Sequence, residues 1–328
     1  MKIRKTSVLV VSLLSMASVT TASAALLAYE GFSIGAGAYA AGQIAENWTT
    51  GRNVASTGFS SANPWLANRN DTQSAQHGQV VTTGLTYGGL VVSGGALVVN
   101  GSNTLASRVG RLLTPSASLT DSSAGPRYIS FLLNFPVVDG DPAQAQVRFH
   151  RAPTATPTTF GGTLPTFDDS PELAFGIGST FATNPSILAN PTLTADDLSW
   201  GVNNNFPRGR LVDGITAGSS YLVVVRLEMS ATTLQDRVTL WVNPADLSSE
   251  TLSPATIAQF TNTGTGGDLA FDRLSIIRAA SSNISEGIIF DELRIGDTWA
   301  DVVPIPEPTT ITMLIGLAGL FGLSRRHA

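Results

Sequence analysis

Tyr221-Leu222-Val223-Val224-Val225-Arg226-Leu227-Glu228-Met229 decides the fold class of this chain. At a period of two, Tyr221, Val223, Val225, Leu227 and Met229 share one face, with Arg226 and Glu228 opposite. After a loop around residues 230–236 the pattern resumes. Val238, Leu240 and Val242 alternate with Arg237, Thr239 and Trp241. Asn243-Pro244 then stops it, because proline has no N–H to give a ladder. The two runs read as an antiparallel hairpin.

The same period recurs outward from this hairpin. Within Tyr128 to Phe135, Ile129, Phe131, Leu133 and Phe135 alternate with polar Ser130 and Asn134. Leu90 to Val92 and Ala96 to Val99 flank Ser93-Gly94-Gly95, which signals a second hairpin. Shorter strands are expected at Val147 to Phe149, Leu173 to Ile177, Phe271 to Ile277 and Ile288 to Ile295. No stretch of the body has a sustained helical period with caps. Residues 152–170 and 184–205, rich in proline, threonine and asparagine, read as long loops. Short strands at this density predict an all-β, antiparallel jelly-roll sandwich.

Composition narrows the class. The chain has 328 residues and no cysteine, which excludes disulfides, thiolate metal sites and cysteine nucleophiles. Both lysines lie at the N-terminus. Between Ala25 and Pro304, fourteen arginines face twenty-three acidic residues, a formal charge of −9. That balance argues against nucleic acid, which needs a basic footprint. Glycine and proline are abundant (32 and 17), yet 43% of residues are apolar, so the chain reads as turn-rich and not as disordered.

Each end reads as an address. Lys2, Arg4 and Lys5 precede the apolar run Val8 to Leu14, and Ala22-Ser23-Ala24 forms a small-residue cleavage site before Ala25. At the other end, Pro306-Glu307-Pro308 is followed by the apolar run Ile311 to Leu323 and by Arg325-Arg326. As a helix that run spans about 20 Å at ~1.5 Å per residue, against a bilayer core of about 30 Å. Such a marginal span suits a temporary anchor, with the arginine pair left in the cytoplasm. This tail resembles the PEP-CTERM sorting signal of Gram-negative bacteria: Pro306, Glu307 and Pro308 match its motif, and Arg325 and Arg326 match its basic cluster. The resemblance implies an exosortase as processing partner, anchoring at the inner membrane first, and later placement at the cell surface or in an exopolysaccharide matrix.

The expected organisation is therefore residues 1–24 as signal peptide and 25–300 as sandwich. Residues 301–310 form a proline-rich stalk with the motif, 311–324 a short transmembrane helix, and 325–328 a basic cytoplasmic tail.

A second resemblance concerns the body. Tyr29-Glu30-Gly31-Phe32, Trp241-Val242-Asn243-Pro244, Phe290 to Gly296 and Trp299, in this order, look like the laminin-G/concanavalin-like jelly rolls of bacterial surface proteins. That fold implies that the first and last strands lie side by side, with Tyr29 to Phe32 near Phe290 to Ile295. It also implies structural calcium in some members, for which Glu30 and Asp291 are the matching acids. By strict alternation Asp291 shares a face with Ile289, Leu293 and Ile295, and Glu292 shares the other with Arg294, Ile288 and Phe290. If the first face is core, Asp291 must bind metal, accept backbone N–H groups or pair with an arginine. Trp241 points away from Val238, Leu240 and Val242. It is either a sugar-stacking platform or ordinary packing on a covered face.

Catalytic signals are weak. Gly31-Phe32-Ser33-Ile34-Gly35 spells G-x-S-x-G without the strand–turn–helix that a nucleophile elbow requires. His77 and His150 are the histidines of the body. Asp168-Asp169 and Asp196-Asp197 sit in the loop regions, and no E-x-D-x-x-E run occurs. Asn47, Asn70, Asn100 and Asn283 head N-x-S/T sequons. The reading is a non-enzymatic exported surface or matrix protein, structural or carbohydrate-binding. The alternative is a secreted glycan hydrolase or lyase with acids drawn from the loops.

Overall fold

The computed structural model describes residues 26–35, 39–43, 57–59, 64–67, 78–100, 107–119, 125–137, 145–150, 173–177, 197–202, 209–230, 236–261, 269–278 and 287–305. These form two antiparallel sheets, the jelly-roll sandwich expected from the alternation.

One sheet contains β1 (Leu26–Glu30), β2 (Gly42–Gln43), β4 (Gln79–Val81), β5 (Ala96–Val99), β7 (Arg127–Asn134), β12 (Ser220–Glu228), β13 (Arg237–Val242), β14 (Ile257–Thr261) and β16 (Ile288–Gly296). Its order is β14-β13-β12-β7-β16-β5-β4-β2, with β1 also paired to β16. The other sheet contains β3 (Leu66–Ala67), β6 (Ser107–Leu112), β8 (Ala145–His150), β9 (Leu173–Ile177), β10 (Leu198–Val202), β11 (Gly209–Val212) and β15 (Arg273–Arg278). It runs β11-β10-β9-β8-β15-β6-β3. A short helix, α1 (Trp299–Val302), follows β16.

The opening stretch behaves as its period dictates. Val225 pairs with Leu240 and Leu227 with Val238, so β12 and β13 form the hairpin. Tyr221, Val223, Val225 and Leu227 face the core between the sheets. There Phe131 meets Phe149, Phe175 and Phe290 at ring separations of 6.3, 5.4 and 5.8 Å. Each of these rings is fully buried. β1 lies beside β16, with Tyr29 opposite Arg294 and Glu30 opposite Leu293, as the second resemblance implies.

Three expectations change. The hairpin around Ser93-Gly94-Gly95 does not form: β5 pairs with β4 and β16, and residues 90–92 are not a strand. Their N–H groups go elsewhere, Val91 N–H to the Pro304 carbonyl and Ser93 N–H to Glu292. Within the expected loop 184–205, Leu198–Val202 is strand β10, paired with β9 and β11. Strand β6 was not anticipated, because Arg108 and Arg111 interrupt its apolar pattern.

The outer face of the β7–β16 sheet is covered. Leu132, Leu222, Val224 and Trp241 pack there with Leu85, Leu90, Trp299, Val302 and Val303. α1 is fastened by a capping box between Thr298 and Asp301. The Val302 carbonyl accepts from Ser130 Oγ, and Trp299 Nε1 donates to the Leu247 carbonyl at 2.8 Å. Residues 301–304, expected to begin a stalk, thus belong to the folded body. Among the described residues no helix is long and apolar enough to cross a membrane. The expected signal peptide and cleavage site (Ala22, Ala24, Ala25), and the tail from Pro306 through Arg326, lie outside the described residues.

Removing the Phe131 ring would leave a cavity where three other rings meet. Phe131→Ala should lower the unfolding free energy by about 3–5 kcal/mol, read as a shift in denaturant midpoint with little change in slope.

Candidate functional site

Two polar groupings lie within this apolar frame. The first is where the chain ends meet. β16 pairs with β5 through residues 288–290, and the same edge then pairs with β1 through residues 293–296. At the hand-over its register against β7 shifts between Asp291 and Arg294. Glu292 takes φ +54°, a left-handed conformation that costs a non-glycine residue about 1–2 kcal/mol. This β-bulge changes the expected faces. Ile288, Phe290, Leu293 and Ile295 point into the core, while Ile289 joins the outer cluster. Asp291 therefore does not share a face with Leu293 and Ile295.

Both bulge carboxylates are buried and partnered. Asp291 accepts the Leu85 N–H at 2.9 Å and the Glu292 N–H at 2.8 Å. Glu292 accepts from the Tyr29 hydroxyl, the Ser93 N–H and Arg294, the last at 2.7 Å. Arg294 also donates to the Val91 carbonyl and lies over the Tyr29 ring, 4.6 Å from its centroid. Residues 84–93 thus clamp the bulge from outside.

Glu30 points the other way, across the sandwich to β6. Arg111 Nη1 donates to its Oε2 at 2.7 Å, and the Tyr39 hydroxyl donates to the same oxygen at 2.8 Å. Tyr39 in turn accepts from Trp65 Nε1 and Arg111. Burial raises the Glu30 pKa, opposed by Arg111 and the Tyr39 hydrogen bond.

Glu30 and Asp291 do not fit a calcium ion. Calcium needs six to eight oxygens. Here Glu30 contacts a fixed guanidinium and Asp291 is engaged by two backbone donors. Among the described residues no group of three His, Cys, Asp or Glu side chains is placed to hold a metal. Trp241 needs a second correction. It lies on the outer face, but its ring is 3% exposed, edge-on to Trp299 at 5.3 Å, with Nε1 bonded to the Ser253 carbonyl. A ring covered in this way offers no platform to a sugar.

The second grouping was not foreseen. In the β6–β15–β8–β9–β10 sheet, one face is apolar and enters the core. The other carries Gln146, Arg148 and His150 on β8, Arg273 and Ser275 on β15, and Ser199 on β10. Cross-strand register puts Ser275 opposite Arg148 and Gly110, Gln146 opposite Gly176, and Gly176 opposite Ser199. Gly176 has no room for a side chain: an added Cβ would lie 2.0 Å from the Ala145 carbonyl oxygen. His150 Nε2 and Ser275 Oγ are 2.8 Å apart, and Arg148 Nε donates to Gln146 Oε1 at 2.8 Å. At one rim, Arg210 contacts Asp197 and Asp213, each at 3.0 Å. Asp197, one of the loop acids considered for catalysis, is buried there and also caps the Gly214 N–H. Asp168, Asp169 and Asp196 lie outside the described residues. The signal for this face was present in β8, where Gln146, Arg148 and His150 alternate with Val147 and Phe149. The contributions of β10 and β15 depend on register.

Comparison with known proteins speaks mainly to the tail. A family model described as the PEP-CTERM protein-sorting motif matches residues 304–327. The chain therefore carries a PEP-CTERM sorting motif, which marks it as an exported protein processed at the membrane by an exosortase in Gram-negative bacteria. No curated protein sequence matches the chain. Among solved structures, the binding domain of botulinum neurotoxin serotype G overlaps at a TM-score of 0.39 and 8% identity, covering 78% of this chain and 47% of that one. The carbohydrate recognition domain of Emp47p gives 0.36 and 9%, covering 70% and 92%. The exoplasmic/lumenal domain of VIP36, in a Ca2+-bound form, gives 0.37 and 10%, covering 72% and 90%. The match thus spans about half of the first of these chains. At these scores the likeness is one of sandwich layout and says nothing of ligand.

Burial, reinforced by the Glu292 charge, pushes the Asp291 pKa up to about 8, against the pull of its two backbone donors. A carboxyl group raised in the folded state stabilises the fold at low pH, and that contribution is lost as pH rises through the folded value. Unfolding free energy should therefore fall between about pH 4 and pH 8, by up to ~1.4 kcal/mol per pH unit for this group. In Asp291→Asn that part of the slope should vanish, as measured by denaturant titrations across the range.

Proposed function

We propose that this protein is a non-enzymatic, exported carbohydrate-binding module, held at the inner membrane by its C-terminal tail until an exosortase processes it and releases it to the cell surface or exopolysaccharide matrix. The observation that carries the reading is the position of the sorting motif. It starts at residue 304, directly after Val303, the last buried residue described. The apolar run Ile311 to Leu323 is the temporary anchor and Arg325-Arg326 its cytoplasmic flank.

The proposed glycan contact on the β8–β15 sheet is Arg148, the half-buried member of a polar face whose Gln146, His150, Ser199, Arg273 and Ser275 are buried. Sugar hydroxyls accept from a guanidinium, and the buried Gln146 amide holds the Arg148 guanidinium in place through its Nε. Neither Trp241 nor calcium has a part in this reading.

Two measurements test it. Replacing Pro306, Glu307 and Pro308 together by alanine should leave the full-length chain in the membrane fraction of cells that process the wild type. Release of the triple variant at the wild-type rate would refute the sorting role. For the body, Arg148→Ala should weaken retention on the host's exopolysaccharide by about 10-fold or more, the worth of one charged hydrogen bond. Equal retention of wild type and variant, or cleavage of the polysaccharide, would overturn the binding reading.

A further inference from the structure

The attachment of the last described residues bears on how the tail is processed. Trp299 is buried against Trp241, and Val302 and Val303 are buried beside it. The Val302 carbonyl accepts from Ser130, and the Pro304 carbonyl accepts the Val91 N–H at 3.2 Å. The chain is therefore fastened to the outer sheet face as far as Pro304. Ile305, 40% exposed, is the first residue to leave it.

Glu307 is three residues beyond that last hydrogen bond. Extended chain advances at most ~3.6 Å per residue, so Glu307 lies within about 11 Å of the body, and Ile311 within about 25 Å. A processing enzyme must bring a catalytic group to about 3–3.5 Å from the scissile carbonyl and accommodate the chain on both sides of it. A sandwich face this close obstructs one side.

We infer that Trp299–Pro304 is a latch that must lift off the outer sheet face before the sorting motif can enter its processing enzyme. The latch can lift without unfolding the sandwich, at the cost of uncovering Trp299, Val302 and Val303. It follows β16, so lifting it breaks no strand pairing. Its helix has four residues, and its named ties are the Ser130, Val91 and Leu247 hydrogen bonds and the Trp241 ring. Once it lifts, the free chain runs from Thr298, since Asp297 stays tied to Arg127. Glu307 then gains a tether of nine residues, about 32 Å when extended. Docking of the latch and processing of the tail are thus competing events. This inference rests on the proposed processing of the motif.

The test is pulse-chase of the full chain in cells that contain the exosortase, following conversion to the shorter form. A six-residue Gly-Ser insertion between Ile305 and Pro306 supplies reach without touching the body. Trp299→Ala loosens the latch. Each should speed conversion several-fold, and the two combined should be no faster than the insertion alone. Rates unchanged by the insertion would overturn the latch, whatever the folding of Trp299→Ala. Conversion of the triple-alanine motif variant at the wild-type rate would instead overturn the sorting reading beneath it. The two failures are therefore separable.

Discussion

The pairing of β16 is the constraint on which the rest of this structure depends. The last strand among the described residues sits inside its sheet, with β7 along one edge and β5 followed by β1 along the other. At the point where the partner on that second edge changes, the strand is irregular. The bulge at Asp291-Glu292 is that irregularity. It takes two carboxylates out of water and puts Glu292 in left-handed backbone. Burying such groups is tolerable where each finds donors. Leu85, Ser93, Tyr29 and Arg294 provide them, and they come from segments far apart in the chain.

The same junction joins the two sheets. Glu30 leaves β1 one residue pair from the bulge and reaches Arg111 on β6, with the Tyr39 hydroxyl between the Trp65 indole and the carboxylate. A buried ion pair of this kind adds little net stability over an apolar substitute, because desolvation offsets the attraction. Its effect is on specificity: any register that separates Glu30 from Arg111 leaves a charge buried alone, at a cost of about 3–5 kcal/mol. The N-terminal strand is thereby held to one position, and residues 84–93 cover the bulge beside it.

Coverage also links the body to the tail. Leu222 and Val224 make the outward side of β12 apolar, so it must be covered. Trp241 extends that apolar surface, and α1 with Val302 and Val303 closes it. The segment that completes the fold is therefore the one that leads into the sorting motif, which connects packing of the body with presentation of the tail.

Much of this was legible in the residues. Period-two alternation located β7, β12, β13, β8, β9, β15 and β16. The order of prolines, carboxylate, apolar run and arginine pair marked the tail. These are local properties, since side-chain alternation and motif order do not depend on distant contacts. The Ser93-Gly94-Gly95 turn was misread as a hairpin because its neighbours bond to Glu292 and Pro304 instead of to each other. Strand β6 went unseen because Arg111, a charge on the inward side, finds its partner in Glu30, which lies far away in sequence.

What the sequence determined by itself was an all-β sandwich without cysteine, ended by a sorting motif, because alternation, composition and motif order are written in neighbouring residues. Tertiary structure alone decided that Asp291 turns from the core, that Glu30 is taken by an arginine, that Trp241 is roofed over, and that polar residues of β8, β10 and β15 share one face. Each of those outcomes depends on which remote segment lies against a side chain, and on where a bulge resets the two-residue period.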